Sequence, residues 1–385
     1  MSNQQTVLPG DETSVMQKTG QWMLVLFLIY LLISSVGMIG TGFKGATKGD
    51  AMQLFEFATN PFMGLVIGIL ATSLIQSSST VTSIIVGLVA GGVSVEAAIP
   101  MIMGANIGTT ITNTIVALGS VHKKKTFRRA FAAATIHDFF NLIAVVSFLT
   151  LELFTGFLAK VSAAMTGFFV GADASVKDAN FIKPLTKPFI AQMQELASAL
   201  YAPGMNIILI IFGVLIIFSS ITFIGKLLKK LMVGKAKKAM HWAIGRGPVT
   251  GVASGTVVTV AVQSSSTTTS LIIPMAASGV FRLKQIYPFT LGANIGTCIT
   301  SLLAATAVTG DTAGYAMQIA LVHLTFNLMS VIVIYGIPFL RNIPLWGASR
   351  LAKLAMENKV LSILYVLGVY FGLPLLMIFL HNLFA

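Results

Sequence analysis

The sequence predicts an all-α multi-span membrane protein in which two inverted repeats each carry a re-entrant helical hairpin, giving about seven full spans plus two hairpins. Three observations predict it. Of 385 residues, 55% are apolar and only 10% are charged, with a mean hydropathy of +0.87, far from the composition of a soluble domain. The polar run Gln76-Ser77-Ser78-Ser79-Thr80 interrupts an apolar stretch and returns as Gln263-Ser264-Ser265-Ser266-Thr267. The basic residues gather in short runs between apolar segments, as the positive-inside bias produces. The formal charge of +13 therefore needs no nucleic-acid partner to explain it.

Residues 1–20 are polar and about neutral, lack the basic opening of a signal peptide, and are expected as a cytoplasmic N-terminal segment. The first apolar run, Trp22 to Ile39, is then a retained span. Apolar runs near 22–40, 98–119, 130–153, 203–224, 286–308, 314–337 and 361–384 each hold about the 20 residues that a spanning helix needs. Residues 60–92 and 248–281 do not fit that description. One straight helix from Phe62 to Ala90 would run roughly 43 Å, and halves broken at the Gln-Ser run would fall short of the ~30 Å hydrocarbon core.

Charge separates a crossing from a hairpin. Lys226, Lys229, Lys230, Lys235, Lys237, Lys238 and Arg246 precede the second stretch, and Arg282 and Lys284 follow it, so both of its ends are expected inside. Lys123, Lys124, Lys125, Arg128 and Arg129 belong inside and the loop around Asp173 outside. The first stretch, flanked by Asp50, Glu56 and Glu96, is then expected to enter from outside. Two further motifs recur: Gly104-Ala105-Asn106-Ile107-Gly108-Thr109 as Gly292-Ala293-Asn294-Ile295-Gly296-Thr297, and His137-x-x-x-Asn141-Leu142 as His323-x-x-x-Asn327-Leu328. The three offsets are 187, 188 and 186 residues, the constancy that an inverted repeat leaves. The expected organisation is a cytoplasmic segment 1–20, a first repeat 21–153 with hairpin 60–92, and an external loop 154–202 with an interfacial helix at 188–201. A second repeat 203–337 with hairpin 248–281 follows, then an inner-face helix and final span over 338–385. An odd number of spans places the C-terminus outside.

At each hairpin tip one half-helix ends and another begins. Free carbonyls that favour a cation then lie beside free N–H groups that favour an anion. The Gln76 and Gln263 amides and the hydroxyls of Ser77, Ser78, Ser79, Thr80 and Ser264 to Thr267 make the two tips candidate sites for an oxyanion together with sodium. Neither run contains Lys or Arg, so the anion's charge would be met by helix termini and co-bound cations. Asn106 and Asn294 are candidates either to reach the ions or to brace the hairpins, while the glycines around them permit close helix approach. His137 with Asn141, and His323 with Asn327, share helix faces and suit structural hydrogen bonding. Asp138 is an acid in an apolar span and a candidate cation ligand; a salt bridge to Arg128 or Arg129 is the other role open to it, and its counterpart is Leu324. No Walker A loop, HExxH motif or metal-binding Cys/His spacing occurs, the lone Cys298 excludes an internal disulfide, and no Asn-x-Ser/Thr acceptor is present. Nothing suggests an enzyme.

Paired QSSS runs, each followed by GANIGT and then HxxxN, over residues 60–153 and 248–337, resemble the type II sodium-dependent phosphate cotransporters. The resemblance implies sodium-driven secondary active uptake of inorganic phosphate by alternating access, with no cofactor beyond the coupling sodium ions. It implies phosphate on Gln76, Ser77, Ser78, Ser79, Ser264, Ser265 and Ser266. Sodium would be held among Gln76, Thr80, Gln263, Ser264, Thr267, Asn106, Asn294 and Asp138, and an acid matching Asp138 implies electrogenic transport. The long glycosylated external loop and extended tail of animal members have no counterpart here, so the chain looks like a compact bacterial member of a cell membrane, with phosphate, sodium and lipid as its partners. Sulfate, arsenate or a phosphonate as the carried anion, or a passive anion channel, are the alternatives that the residues leave open.

Overall fold

The computed structural model describes residues 15–46, 60–171 and 182–384. Among them there are helices and no strand. In order they are α1 (Val15–Ala46), α2 (Pro61–Ile75), α3 (Ser78–Gly91), α4 (Val95–Gly108), α5 (Ile111–Leu118), α6 (Lys124–Thr155), α7 (Phe157–Gly171), α8 (Ile182–Tyr201) and α9 (Met205–Ala243). There follow α10 (Pro248–Val262), α11 (Ser265–Ser278), α12 (Leu283–Thr306), α13 (Ala313–Ser330), α14 (Pro338–Glu357), α15 (Lys359–Leu367) and α16 (Leu373–Phe384). Seven helical stretches are long and apolar enough to cross a membrane: Thr19–Ala46, Val95–Leu118, Lys124–Thr155, Pro184–Leu231, Leu283–Thr306, Ala313–Tyr335 and Lys359–Leu383. Each coincides with one of the seven spans expected from the sequence. Asp50, Glu56, Asp173 and residues 1–14 lie outside the described residues.

The two Gln-Ser runs break the chain between α2 and α3 and between α10 and α11. Asn60 starts α2 by accepting the Phe62 N–H at 2.9 Å, with Pro61 in the first turn. The helix runs 15 residues, about 22 Å, too short to span. It ends because Ser77 takes an extended conformation (φ −147°, ψ 100°) and caps α3, its Oγ accepting the Thr80 N–H at 3.3 Å. Ser264 repeats this at φ −157°, ψ 108°, accepting the Thr267 N–H at 3.1 Å. The residue between the helices is left-handed in both copies: Gln76 at φ 57° and Gln263 at φ 53° are the non-glycine residues with positive φ among the described residues.

From each break the two arms pack on different partners, α2 along α4 and α3 against α1, with α10 along α12 and α11 against α6. Glycines bring α2 and α4 together. A Cβ on Gly68 would fall 2.8 Å from the Ala105 N, and one on Gly108 would meet the Thr72 Cβ at 2.6 Å. In the second copy a Cβ on Gly292 would fall 2.8 Å from the Thr256 N, and one on Gly296 would meet the Thr259 Cβ at 2.6 Å. Small residues at these crossings let the backbones touch, which is how helices associate where no hydrophobic effect drives them. The same device joins α1 to α9, where a Cβ on Gly213 would meet Ile39 Cγ1 at 2.6 Å.

Spans α4, α6 and α12 form the enclosed centre, whereas the last span exposes Leu373, Leu375, Leu376, Phe379 and Leu380, the surface of a lipid-facing helix. Within residues 154–202 the helix expected at 188–201 falls inside α8, and α7 stands where loop was expected. Gly156 (φ 60°) turns the chain into α7, whose first N–H groups are held by Glu152: Leu158 donates to Oε2 at 2.6 Å and Ala159 to Oε1 at 3.3 Å. Helix α7 packs on α13, where Gln318 Nε2 donates to the Ala159 carbonyl at 3.1 Å. Helix α8 lies against α1 through Tyr30, which donates to the Leu185 carbonyl at 3.1 Å. The part occupied by α7 reads as loop because its apolar run is too short for a span, yet it is long enough to cover another helix.

Candidate functional site

The two breaks converge. A cavity of about 360 Å³ is lined by Gln76, Ser77, Ser78 and Ser79 from the first and by Gln263, Ser264, Ser265, Ser266 and Thr267 from the second. All seven residues expected to hold the anion therefore face one space, 187 residues apart in sequence. Its electrostatics follow from the helix ends. Ser77 and Ser264 occupy the third N–H of α3 and α11, leaving the first N–H groups, on Ser78, Ser79, Ser265 and Ser266, without intrahelical acceptors. Each helix start carries roughly half a positive charge. The last carbonyls of α2 and α10 lie on the other side of the same breaks, and they favour a cation.

Helix α9 adds what the two runs lack. Thr222, Lys226 and Lys229 line the cavity, with Lys226 Nζ 5.2 Å from the Phe223 ring. Nothing in the residue pattern signalled this, because the positive-inside bias accounts fully for a basic run at the end of a span. The exposed Gln76 amide faces the cavity. Gln263 is held more firmly: its Nε2 donates to the Val260 carbonyl at 2.8 Å and its Oε1 accepts from Thr300 at 3.0 Å.

Four of the expected sodium ligands do not line this cavity. Thr80 is buried and shares a 2.8 Å hydrogen bond with Ser77 Oγ. Asn106 donates to the Ile102 carbonyl of its own helix at 2.9 Å. Asn294 braces the two halves: its Oδ1 meets His137 Nε2 at 2.6 Å, and its Nδ2 donates to Asn141 Oδ1 at 2.8 Å. Asn141 in turn donates to the Asn106 carbonyl at 2.6 Å. His137 and Asn141 thus share one partner on α12 rather than bonding to each other. In the second copy His323 meets Ser301 Oγ at 3.0 Å, and Asn327 donates to the His323 carbonyl at 2.9 Å.

Asp138 sits in a separate hydroxyl cage. It is buried, and among the described residues it makes no ion pair with Arg128 or Arg129, which border another cavity. Its Oδ2 accepts from Tyr365 at 3.0 Å and from Thr114 at 3.4 Å, while its Oδ1 is buried without a partner. Thr110 bonds to Tyr370 at 2.6 Å alongside. The cage exists because Thr109 and Thr110 interrupt the second span between α4 and α5, and a π turn, Gly368–Gly372, carries Tyr370 inward. In the second copy α12 runs unbroken, and Cys298, Leu302 and Leu324 stand where the first has Thr110, Thr114 and Asp138. Aligning the two repeats residue by residue exposes that asymmetry; Tyr365 and Tyr370 have no such signal.

Residues 31–172 and 205–342 match the family model described as Na+/Pi-cotransporter. Curated relatives include sodium-dependent phosphate transport protein 2B of Homo sapiens, 31% identical over 93% of this chain and 65% of its own length. Another is protein 2A of Rattus norvegicus, 32% identical over 91% of this chain and 66% of its own length. The chain thus spans about two thirds of the length of these relatives. No solved structure gives a significant match. Each of the two matched segments holds one Gln-Ser-Ser-Ser-Thr break and the helix that glycines clasp against it, and on that match the chain belongs to the Na+/Pi-cotransporter family.

Proposed function

We propose that the chain carries inorganic phosphate across a membrane in symport with sodium, by alternating access of the cavity between the two breaks. The observation that carries this is the convergence of two helix starts and two serine runs on one cavity. The names of the relatives point the same way. Two half-helix N-termini supply about one positive charge between them, short of what a phosphate dianion needs. Sodium at the carbonyl ends of α2 and α10, together with Lys226 and Lys229, supplies the rest, and this dependence is the physical origin of coupling. Phosphate is read as held by Gln76, Ser77, Ser78, Ser79, Ser264, Ser265 and Ser266, with sodium near Gln263 and Thr267.

Asp138 is read as the ligand of a further sodium in its hydroxyl cage, which makes transport electrogenic. The unpartnered Oδ1 is the observation that favours this, since a buried carboxylate without a counter-charge is costly. The breaks are read as tips of re-entrant hairpins in inverted repeats, and the chain as a transporter of the cell membrane with its basic loops inside.

Uptake of radiolabelled phosphate into proteoliposomes tests the reading, with an inward sodium gradient against an equal potassium gradient. Sodium-dependent uptake, competed by unlabelled phosphate and not by sulfate, is expected. Equal uptake in both salts overturns coupling and leaves an anion channel; competition by sulfate overturns the choice of phosphate. Gln263→Ala and Ser265→Ala should abolish uptake with the protein still in the membrane.

A further inference from the structure

A second and larger cavity, of about 890 Å³, lies away from the Gln-Ser breaks where the start of α6, the turn from α11 to α12 and the face of α14 meet. One wall is cationic. Lys124, Lys125, Arg128 and Arg129 come from the first turns of α6, and Arg282 from the head of α12. Lys284 borders a groove that continues from it past Arg282 and Ser349. Among the described residues no acidic side chain lines either space. The opposite wall is apolar, with Ala133, Ala276, Phe281, Ile286 and Met356.

Positive-inside bias explains why basic residues lie on this face, but not why the start of α6 and the head of α12 bring five of them around one cleft with an apolar back. Charges free of one another would spread to lower their repulsion. The Arg129 guanidinium stands over Gly279, the left-handed cap of α11, where a Cβ would come within 2.5 Å of Nη1. That position suits a cation, because the end of α11 presents unpaired carbonyls.

From this geometry we propose that the cleft is a binding site for the headgroup of an anionic phospholipid. Its phosphate lies among Lys125, Arg128 and Arg282, and its acyl chains lie along the partly exposed Phe281 and Met356. Free phosphate has the same charged chemistry, but it would leave the apolar wall unused. Basic clefts between spanning helices are the sites at which such headgroups are held. The lipid would tie the start of α6 to α12 and α14, on the helix that carries Asp138 and His137 farther along. The inference does not depend on what the chain transports, so its test reads binding alone.

Native mass spectrometry of the purified full chain, titrated with cardiolipin, with phosphatidylethanolamine and with inorganic phosphate, decides it. Retained cardiolipin is expected, with little phosphatidylethanolamine and no phosphate at matched concentration. The Arg128→Gln/Arg282→Gln double variant should bind cardiolipin about 30-fold more weakly, given the usual contribution of a basic residue at a lipid surface. Lys124→Gln/Lys125→Gln serves as the second variant and should weaken binding similarly. Arg350→Gln removes a charge that borders neither space and instead stacks on Trp346, and it should bind as wild type does. Equal binding by wild type and both double variants overturns the site. So does an equal loss in Arg350→Gln, and retention of inorganic phosphate in place of lipid overturns the lipid assignment.

Discussion

Gln76 and Gln263 occupy backbone conformations that a glycine would fill without strain, and this makes a sharp test of why glutamine is there. A side-chain-bearing residue in the left-handed region costs about 1 kcal/mol relative to glycine. At Gln76 (φ 57°) the exposed amide makes no hydrogen bond to the described residues, so folding has nothing to set against that strain. Gln76→Ala keeps the strain and removes the amide; Gln76→Gly removes both. Gln76→Gly should therefore be more stable than Gln76→Ala by about 1 kcal/mol, roughly 5-fold in the unfolding equilibrium. At Gln263 two hydrogen bonds, to the Val260 carbonyl and from Thr300, are lost with the side chain. At about 1 kcal/mol each they outweigh the relief, so Gln263→Gly should fall about 1 kcal/mol below wild type. Chemical unfolding of the purified variants measures the order, and phosphate uptake in proteoliposomes measures the other half. Both Gln76 variants should lose transport, because the amide faces the cavity. A Gln76→Gly protein that transports fully, or that unfolds before Gln76→Ala, would refute the reasoning.

Three further outcomes are expected. Gly292→Ala places a Cβ 2.8 Å from the Thr256 N, with the Val252 carbonyl nearer still; ordinary contact begins near ~3.4 Å, so α10 and α12 must part by more than about half an ångström, costing roughly 1–3 kcal/mol. A thermal melt checks it beside Gly314→Ala, where a Cβ meets nothing and stability should hold. Lys226→Gln/Lys229→Gln should raise KM for phosphate about 2–5-fold per charge while kcat and sodium dependence persist, and the difference should shrink in high salt; an unchanged KM in low salt removes these residues from the anion's path. Asp138→Asn should melt no lower than wild type, since a buried carboxylate with one unpartnered oxygen is replaced by a neutral group, and it should show a less steep sodium dependence with no transport current; a current equal to wild type excludes Asp138 as a sodium ligand.

Much of this was legible in the sequence, for reasons that the residues make plain. Seven spans could be counted because hydrocarbon thickness fixes helix length. The breaks could be placed to within a residue because each Gln-Ser run recurs in a stretch too long for one span and too short, once halved, for two. Helix α7 was not legible, since an apolar stretch of only 15 residues is too short to be counted as a span; α8 was, in part, as the helix expected at 188–201. Asn294 shows a subtler limit. Its polar side chain announced that it would have partners, but not that those partners, His137 and Asn141, would come from the other half of the chain.

The cage around Asp138 marks where an argument from repeats stops and one from packing must begin. Repeat comparison isolates Thr110, Thr114 and Asp138 as polar where Cys298, Leu302 and Leu324 are not. A duplicated ancestor read through its symmetry would therefore assign a cation site to the first half alone. Tyr365 and Tyr370, which complete the cage, lie beyond both matched segments. Removing the Tyr365 hydroxyl with Tyr365→Phe leaves Asp138 Oδ2 with one 3.4 Å partner. If the carboxylate works by holding an ion, that change should weaken the apparent affinity for sodium while that for phosphate, read at saturating sodium, stays put. If the cage only packs the last span, Tyr365→Phe should lower the melting temperature and leave both affinities alone. The split between those readouts tells whether the last span belongs to the transport site or merely closes the bundle around it.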